Sequence, residues 1–193
     1  GKFRLKGLKS TNPVAVGDFI RFHMAGEEGV IHTIDDRKNY IVRRSVNLSK
    51  QIQIIAANVD LLFLVITIHH PETTLGFVDR FLAGAEAYRI PTVLVYNKID
   101  LYKTEKQLEE LKRWQAIYES AGYQQLEVSA ESKLGIRALK EKMIQKTSIF
   151  SGHSGVGKST LVNALDENFK LKTSGISDYH KTGRHTTTFA ELF

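Results

Sequence analysis

A small OB-like β-barrel followed by an α/β domain on a mostly parallel sheet is the fold predicted by this 193-residue sequence. Three observations carry the prediction. Residues 1–50 alternate apolar and polar side chains between turn signals, and beyond them apolar runs alternate with stretches of helical period. One of those runs, Thr147 to Ser151, leads into Gly152, His153, Ser154, Gly155, Val156, Gly157, Lys158 and Ser159, which satisfy G-x-x-x-x-G-K-[ST].

In the first part, Phe3 to Lys6, Asp18 to His23, Gly29 to Ile34 and Tyr40 to Arg44 read as strands. Asn12-Pro13, Val16-Gly17-Asp18, Ala25-Gly26 and Lys38-Asn39 punctuate them at spacings typical of a small barrel. Only about four strands are visible where an OB-like barrel has five, so the barrel is expected to be open or to lack its first element. The chain changes character between Asn47 and Asn58, and the expected division is 1–50 for the barrel and 51–193 for the α/β domain.

The second part begins with Val59 to Ile68, a continuous apolar run of the kind found in a strand covered on both faces. Phe77, Phe81, Leu82, Ala85 and Tyr88 then recur at helical spacing and are expected in the core. Pro91 to Tyr96 is the next strand. Thr104 and Gln107 form a capping box at the start of a helix through Leu111, Trp114 and Tyr118, and Gly122 closes it. Leu126 to Ser129 is read as a third strand, Ile136 to Met143 as a third helix, and Thr147 to Ser151 as a fourth strand. Ligands of such a sheet bind at the carboxyl ends of its strands.

At the fourth strand's end the glycines permit a tight turn that brings backbone N–H groups toward anionic oxygens, and a helix starting near Lys158 adds its positive end. Lys158 is expected on the β- and γ-phosphates, and the Ser159 hydroxyl on Mg²⁺. Thr160, the next helical residue, joins the phosphate-binding set.

The second strand ends in Asn97, Lys98, Ile99 and Asp100, the N-K-x-D pattern of GTPases. A carboxylate at Asp100 accepts from both N1–H and N2–H₂ of guanine, whereas adenine has no donors in that arrangement, so the expected ligands are GTP and GDP. The Lys98 stem can lie along the base, and Asn97 can tie this loop to the phosphate loop. The third strand ends in Ser129, Ala130 and Glu131, similar to the S-A-K loop that supports guanine O6 through backbone N–H. Glu131 replaces the usual lysine, so only the backbone role of Ala130 and its neighbours is expected.

Composition narrows the remaining classes. There are no cysteines, and the seven histidines show no metal-ligand spacing, so no zinc is expected in this segment. No apolar run reaches membrane-spanning length and the first residues have no signal core, so no membrane contact and a cytoplasmic location are expected. The net charge is +6, and residues 1–50 carry ten Lys/Arg against five Asp/Glu. That excess fits contact with a phosphate backbone, and it equally fits a solvated β-surface whose cations discourage edge pairing.

Motif order is unusual. GTPases ordinarily present the phosphate loop first, whereas here N-K-x-D and S-A-x precede it, so the domain reads as circularly permuted. With Gly183-Arg-His-Thr-Thr-Thr188 behind the phosphate loop and Val16-Gly-Asp18 in a leading basic barrel, the chain resembles the ribosome small subunit-dependent GTPase A family, RsgA or YjeQ. The resemblance implies GTP hydrolysis stimulated by the small ribosomal subunit and a role in late maturation of that subunit; Mg²⁺ dependence, contact with its rRNA and a monomeric state are expected beside it. Family members continue into D-x-P-G and a Cys/His zinc domain, neither of which is present here, so the sequence is expected to be a fragment.

On the same resemblance, residues 172–193 read as switch I. One of Thr186, Thr187 and Thr188 is expected to complete the Mg²⁺ shell; spacing does not decide which, and Thr187 is the candidate. His185 is either the residue that orients a water or a surface histidine. Two other classes remain open from the sequence: a nucleotide-dependent RNA-binding module with negligible hydrolysis, and a P-loop ATPase or kinase, against which Asp100 argues.

Overall fold

The computed structural model describes residues 14–44, 52–166, 168 and 171. The expected strand at 3–6 and the whole of 172–193, with Thr186, Thr187, Thr188 and His185, lie outside them. The amino-terminal part contains two antiparallel pairs: β1 (Ile20–Ala25) with β2 (Glu28–Ile34), and β3 (Tyr40–Arg44) with β4 (Ile52–Ala57). Each carries a register shift, between Arg21 and Phe22 and between Ile41 and Val42. β4 comes from the Gln/Ile stretch where the sequence changes character.

The second part is a parallel sheet of order β7-β6-β5-β8, built from β5 (Leu61–Ile66), β6 (Thr92–Tyr96), β7 (Gln124–Glu127) and β8 (Ser148–Ser151). All six residues of β5 are buried, which explains its unbroken apolar run. Leu62, Leu64 and Ile66 pack with Val78 and Leu82 of α1 (Leu75–Ala87) and with Leu111, Trp114 and Tyr118 of α2 (Glu105–Ser120). Leu61, Phe63 and Val65 face the other way, toward Ile136 and Leu139 of α3 (Ile136–Met143) and Leu161 and Leu165 of α4 (Lys158–Leu165). The alternation of a strand thus serves two cores at once.

Local signals set the helix ends. Thr104 caps α2 and the reciprocal Gln107 bond is present, completing the capping box. β7 begins and ends two residues earlier than the expected 126–129. The side-chain amide of its polar Gln125 donates a hydrogen bond to the Gln115 carbonyl (2.9 Å) and accepts from the Tyr96 hydroxyl (2.9 Å). Such bonds satisfy a polar strand residue that an apolar pattern does not reveal.

The two parts are joined by buried amides. Asn39, 7% exposed, donates to the Val59 carbonyl and accepts from the Val59 N–H, both at 2.8 Å. Asn58 accepts from the Lys38 N–H at 3.0 Å and donates to the Gly17 carbonyl at 2.9 Å. Nearby, Arg37 makes a two-bond pair with Asp18, each bond 2.6 Å, with side chains only 8% and 1% exposed. Asn39→Ala should therefore leave the Val59 N–H and carbonyl without partners and lower stability by about 2–4 kcal/mol. Urea unfolding of parent and variant measures it, and a loss below about 0.5 kcal/mol would contradict the assigned bonds.

Candidate nucleotide site

The sheet presents four loops at one edge, each following the carboxyl end of a strand. The loop after β8 is the phosphate-loop motif. Gly157 caps α4 at φ 94°, and a Cβ there would collide with the amide nitrogen of Asn97. Gly152 sits at φ 145°, where a Cβ would meet the Val65 carbonyl. Val156 is fully buried and holds the inner side of the loop in the core.

Within this loop, Lys158 donates to the carbonyls of Gly152 (2.9 Å) and His153 (2.7 Å). It has no carboxylate partner among the described residues, and burial pushes its pKa below the ordinary lysine value. A half-buried cation held by neutral carbonyls at the start of a helix fits an anionic ligand. Ser159 follows on the first turn of α4, half-buried. A hydroxyl beside phosphate oxygens suits a hard cation that retains its waters, so Ser159 fits a Mg²⁺ ligand by chemistry. Ser154 and Gly155 are exposed on the loop, and Thr160 is half-buried behind Ser159.

After β6, Asn97 is almost completely buried. Its amide donates to the Val156 carbonyl at 2.8 Å, and its oxygen accepts from the Ala130 N–H at 3.4 Å. One side chain thus ties the N-K-x-D loop to the phosphate loop and to the S-A-x loop. Lys98 adopts φ 63° and donates to the carbonyls of His70 (2.7 Å) and Gly155 (2.8 Å), its pKa lowered by burial. Asp100 lies in the single 3-10 turn Ile99–Leu101, half-buried, with no hydrogen bond to its carboxylate among the described residues. It is free to accept from a ligand.

In the loop after β7, Ser129 is fully buried, its N–H bonded to the Leu134 carbonyl (3.0 Å) and its hydroxyl accepting from Ser132 N–H (3.0 Å). Glu131 points outward and is exposed. The Ala130 N–H is directed to Asn97, so its expected approach to a base requires that long bond to be exchanged.

The loop after β5 carries no GTPase motif and was missed in the sequence. Thr67 donates from its hydroxyl to the Pro71 carbonyl (2.6 Å), while the Thr67 N–H reaches the Thr73 hydroxyl (3.3 Å). Ile68 N–H donates to the hydroxyl of Tyr102, just after the 3-10 turn, at 2.8 Å. Pro71 lies where a Cβ on Gly155 would touch it. His70 and Pro71 therefore wall the phosphate loop, and the two threonines six residues apart were the available signal. A separate cleft of about 440 Å³, lined by Asp60, Pro91, Tyr123 and Lys146 among others, opens at the opposite edge of the sheet, away from these loops.

Residues 34–193 match the family described as RsgA GTPase. The chain belongs to the RsgA GTPase family. It is similar to the small ribosomal subunit biogenesis GTPase RsgA of Flavobacterium johnsoniae, with 55% identity covering 100% of this chain and 60% of that protein. RsgA 2 of Bacteroides thetaiotaomicron is 53% identical, covering 100% and 62%. The chain thus spans about 60% of the length of these curated relatives.

Among solved structures, YjeQ from Thermotoga maritima is similar at a TM-score of 0.69 and 39% identity, over 90% of this chain and 57% of that one. YloQ, described as a circularly permuted GTPase, gives 0.62 and 26%, over 86% and 55%. The permuted motif order of this RsgA-family chain agrees with that fold. A test of the loop geometry is Asn97→Ala, which should leave the buried Val156 carbonyl unpaired at a cost of about 1–3 kcal/mol. Guanine-nucleotide affinity should fall with it, and calorimetric titration beside thermal unfolding would show either change or refute the tie.

Proposed function

We propose that this chain binds GTP and hydrolyses it to GDP and phosphate as part of a cytoplasmic, monomeric factor in late maturation of the small ribosomal subunit. The observation that carries the reading is Asn97, whose amide brings the base-reading loop of Asp100 and the phosphate loop of Lys158 to one sheet edge. Relatives that share more than half of these residues are named as small ribosomal subunit biogenesis GTPases.

In this mechanism Lys158, held by the Gly152 and His153 carbonyls, turns its N–H donors to β- and γ-phosphate oxygens, which supply the anion its site lacks. Asp100 accepts from guanine N1–H and N2–H₂, and the Lys98 stem lies along the base while its amine keeps the carbonyls of His70 and Gly155. Ala130 and Ser129 line the far side of the base. Ser159 and Thr187 would hold Mg²⁺, which supplies charge neutralisation at the phosphates when bound. His185 orients the attacking water, and contact with the small subunit accelerates hydrolysis.

The amino-terminal part supplies rRNA contact, but fewer of its cations are available than the count suggests. Arg37 is buried against Asp18, Lys38 pairs with Asp60, and Arg21 lies 3.4 Å from Asp35. The excess for phosphate contact then rests on Lys2, Arg4, Lys6, Lys9, Arg43, Arg44 and Lys50.

Two experiments test the proposal. Asp100→Asn should weaken GTP binding by about two to three decades and favour xanthine nucleotides, whose C2 carbonyl suits an amide. Unchanged GTP affinity would remove the base-reading role. Binding to the small subunit should weaken steeply with salt, and changing Arg43 and Arg44 to Ala should flatten the log-log slope by roughly 0.7 to 0.9 per lost contact. A slope unaffected by the change would clear these arginines of phosphate contact.

A further inference from the structure

The ring pair with the smallest centroid separation among the described residues lies on the phosphate loop itself. His153, the second residue of the motif, lies against Phe77 with ring centroids 3.7 Å apart and planes tilted by 32°. Helical spacing places Phe77 in the core, and it does pack there; yet it is only half-buried, and its outer side carries the histidine. Phe77 rests in turn on Phe81, with centroids 5.9 Å apart.

Several bonds fix where Phe77 stands. The loop 67–73 is closed on itself by Thr67 N–H to Thr73 hydroxyl and Thr73 N–H to Thr67 carbonyl (3.0 Å). α1 then begins at once, with Thr74 as its cap accepting from the N–H of Phe77 at 3.3 Å. This ring is consequently set by the end of β5 and by a capped first turn, both anchored on the central strand. On the other side, His153 is the residue whose carbonyl takes Lys158 at 2.7 Å. Burial, and then Lys158, lower the pKa of the His153 ring, which favours its uncharged form in this contact.

We infer that Phe77 and His153 form a positioning contact that clamps the outer limb of the phosphate loop to α1 and so presets the loop for the phosphates of a guanine nucleotide. The inference rests on the nucleotide-binding reading above. Opposite the clamp, the inner limb is already held by Val156 in the core and by Asn97 on the Val156 carbonyl. The outer limb, with exposed His153, Ser154 and Gly155, has the ring contact and the Lys98 bond to the Gly155 carbonyl as its holds. Lys158 has three N–H donors, and as it turns them to phosphate its hold on the His153 carbonyl weakens. At that moment the ring contact keeps the limb in place, and less ordering accompanies binding.

The contact acts on phosphates and not on the base, which gives the test its discrimination. GDP and guanosine affinities would be measured by titration for the parent chain, Phe77→Ala, His153→Ala, Phe77→Tyr and His153→Phe. Both alanine variants should bind GDP about three- to tenfold more weakly, the scale of a lost aromatic pair, with guanosine affinity unchanged. The two aromatic replacements should return GDP affinity to within about twofold of the parent. His153 is exposed, so His153→Ala keeps the test decisive even where Phe77→Ala disturbs the core. Parental GDP affinity in His153→Ala overturns the inference alone, as does an equal loss of GDP and guanosine. A parent chain that binds no GDP overturns the functional reading and this inference with it.

Discussion

A buried amide can bond with both of its ends, and this sheet edge depends on Asn97 doing so. Its N–H₂ end holds the Val156 carbonyl and its oxygen faces the Ala130 N–H, so three loops from β6, β7 and β8 share one partner. Neither a carboxylate nor a lysine at that position could donate and accept at once. Around it the close approach of Gly157 leaves no room for a Cβ, and Lys98 repeats the linkage on the solvent side through His70 and Gly155. Preorganised loops have little left to order when a ligand arrives, which is how a small set of polar contacts can give useful affinity.

Underneath that edge the packing is ordinary for an α/β domain and the helices sit on it in two pairs. β5 is the hinge of both cores, since its six buried residues alternate between the α1–α2 face and the α3–α4 face. The amino-terminal strands reach this sheet through Asn39 and Asn58, and through Lys38 on Asp60. Asp60 also accepts from the Thr147 N–H at 2.8 Å, immediately before β8. Its carboxyl is held below the usual range, first by the Lys38 bond and then by Thr147. The link between the two parts therefore lies at the foot of the strand that bears the phosphate loop.

Much of this was legible in the sequence where one local rule decides the outcome. The capping box of Thr104 and Gln107, the doubly buried run of β5 and the two nucleotide motifs each follow from residue type and spacing, and each stands where expected. Less was legible where a partner far along the chain decides. β7 is polar and is set by Gln115 and Tyr96, so its ends fell two residues from the apolar estimate. The loop 67–73 shows no motif because its job is done by threonine hydroxyls and by Tyr102, which lies 34 residues from its partner Ile68. Phe77 obeyed its helical period and still turned one side to the phosphate loop, since periodicity gives a face of the helix and not its neighbour. Likewise, the cation count of residues 1–50 could not reveal that Arg37 is spent on a buried Asp18.

The parallel pairing of β8 with β5 has a consequence for the order in which the site comes into being. Leu61 meets Ser148 across that pair, whereas β5 and β6 join residues such as Leu62 and Thr92. During synthesis the strands β5, β6 and β7, with the N-K-x-D loop, emerge well before the strand that leads into the phosphate-loop motif. Permutation has thus moved the phosphate loop from the first strand to be made to the fourth of the described strands of this sheet. The four loops at this edge come together only when that four-residue strand is paired with β5. Closing so long a loop adds only slowly to the entropic cost, but it delays the event. A ligand that bridged these loops would favour the fully docked sheet over its precursor.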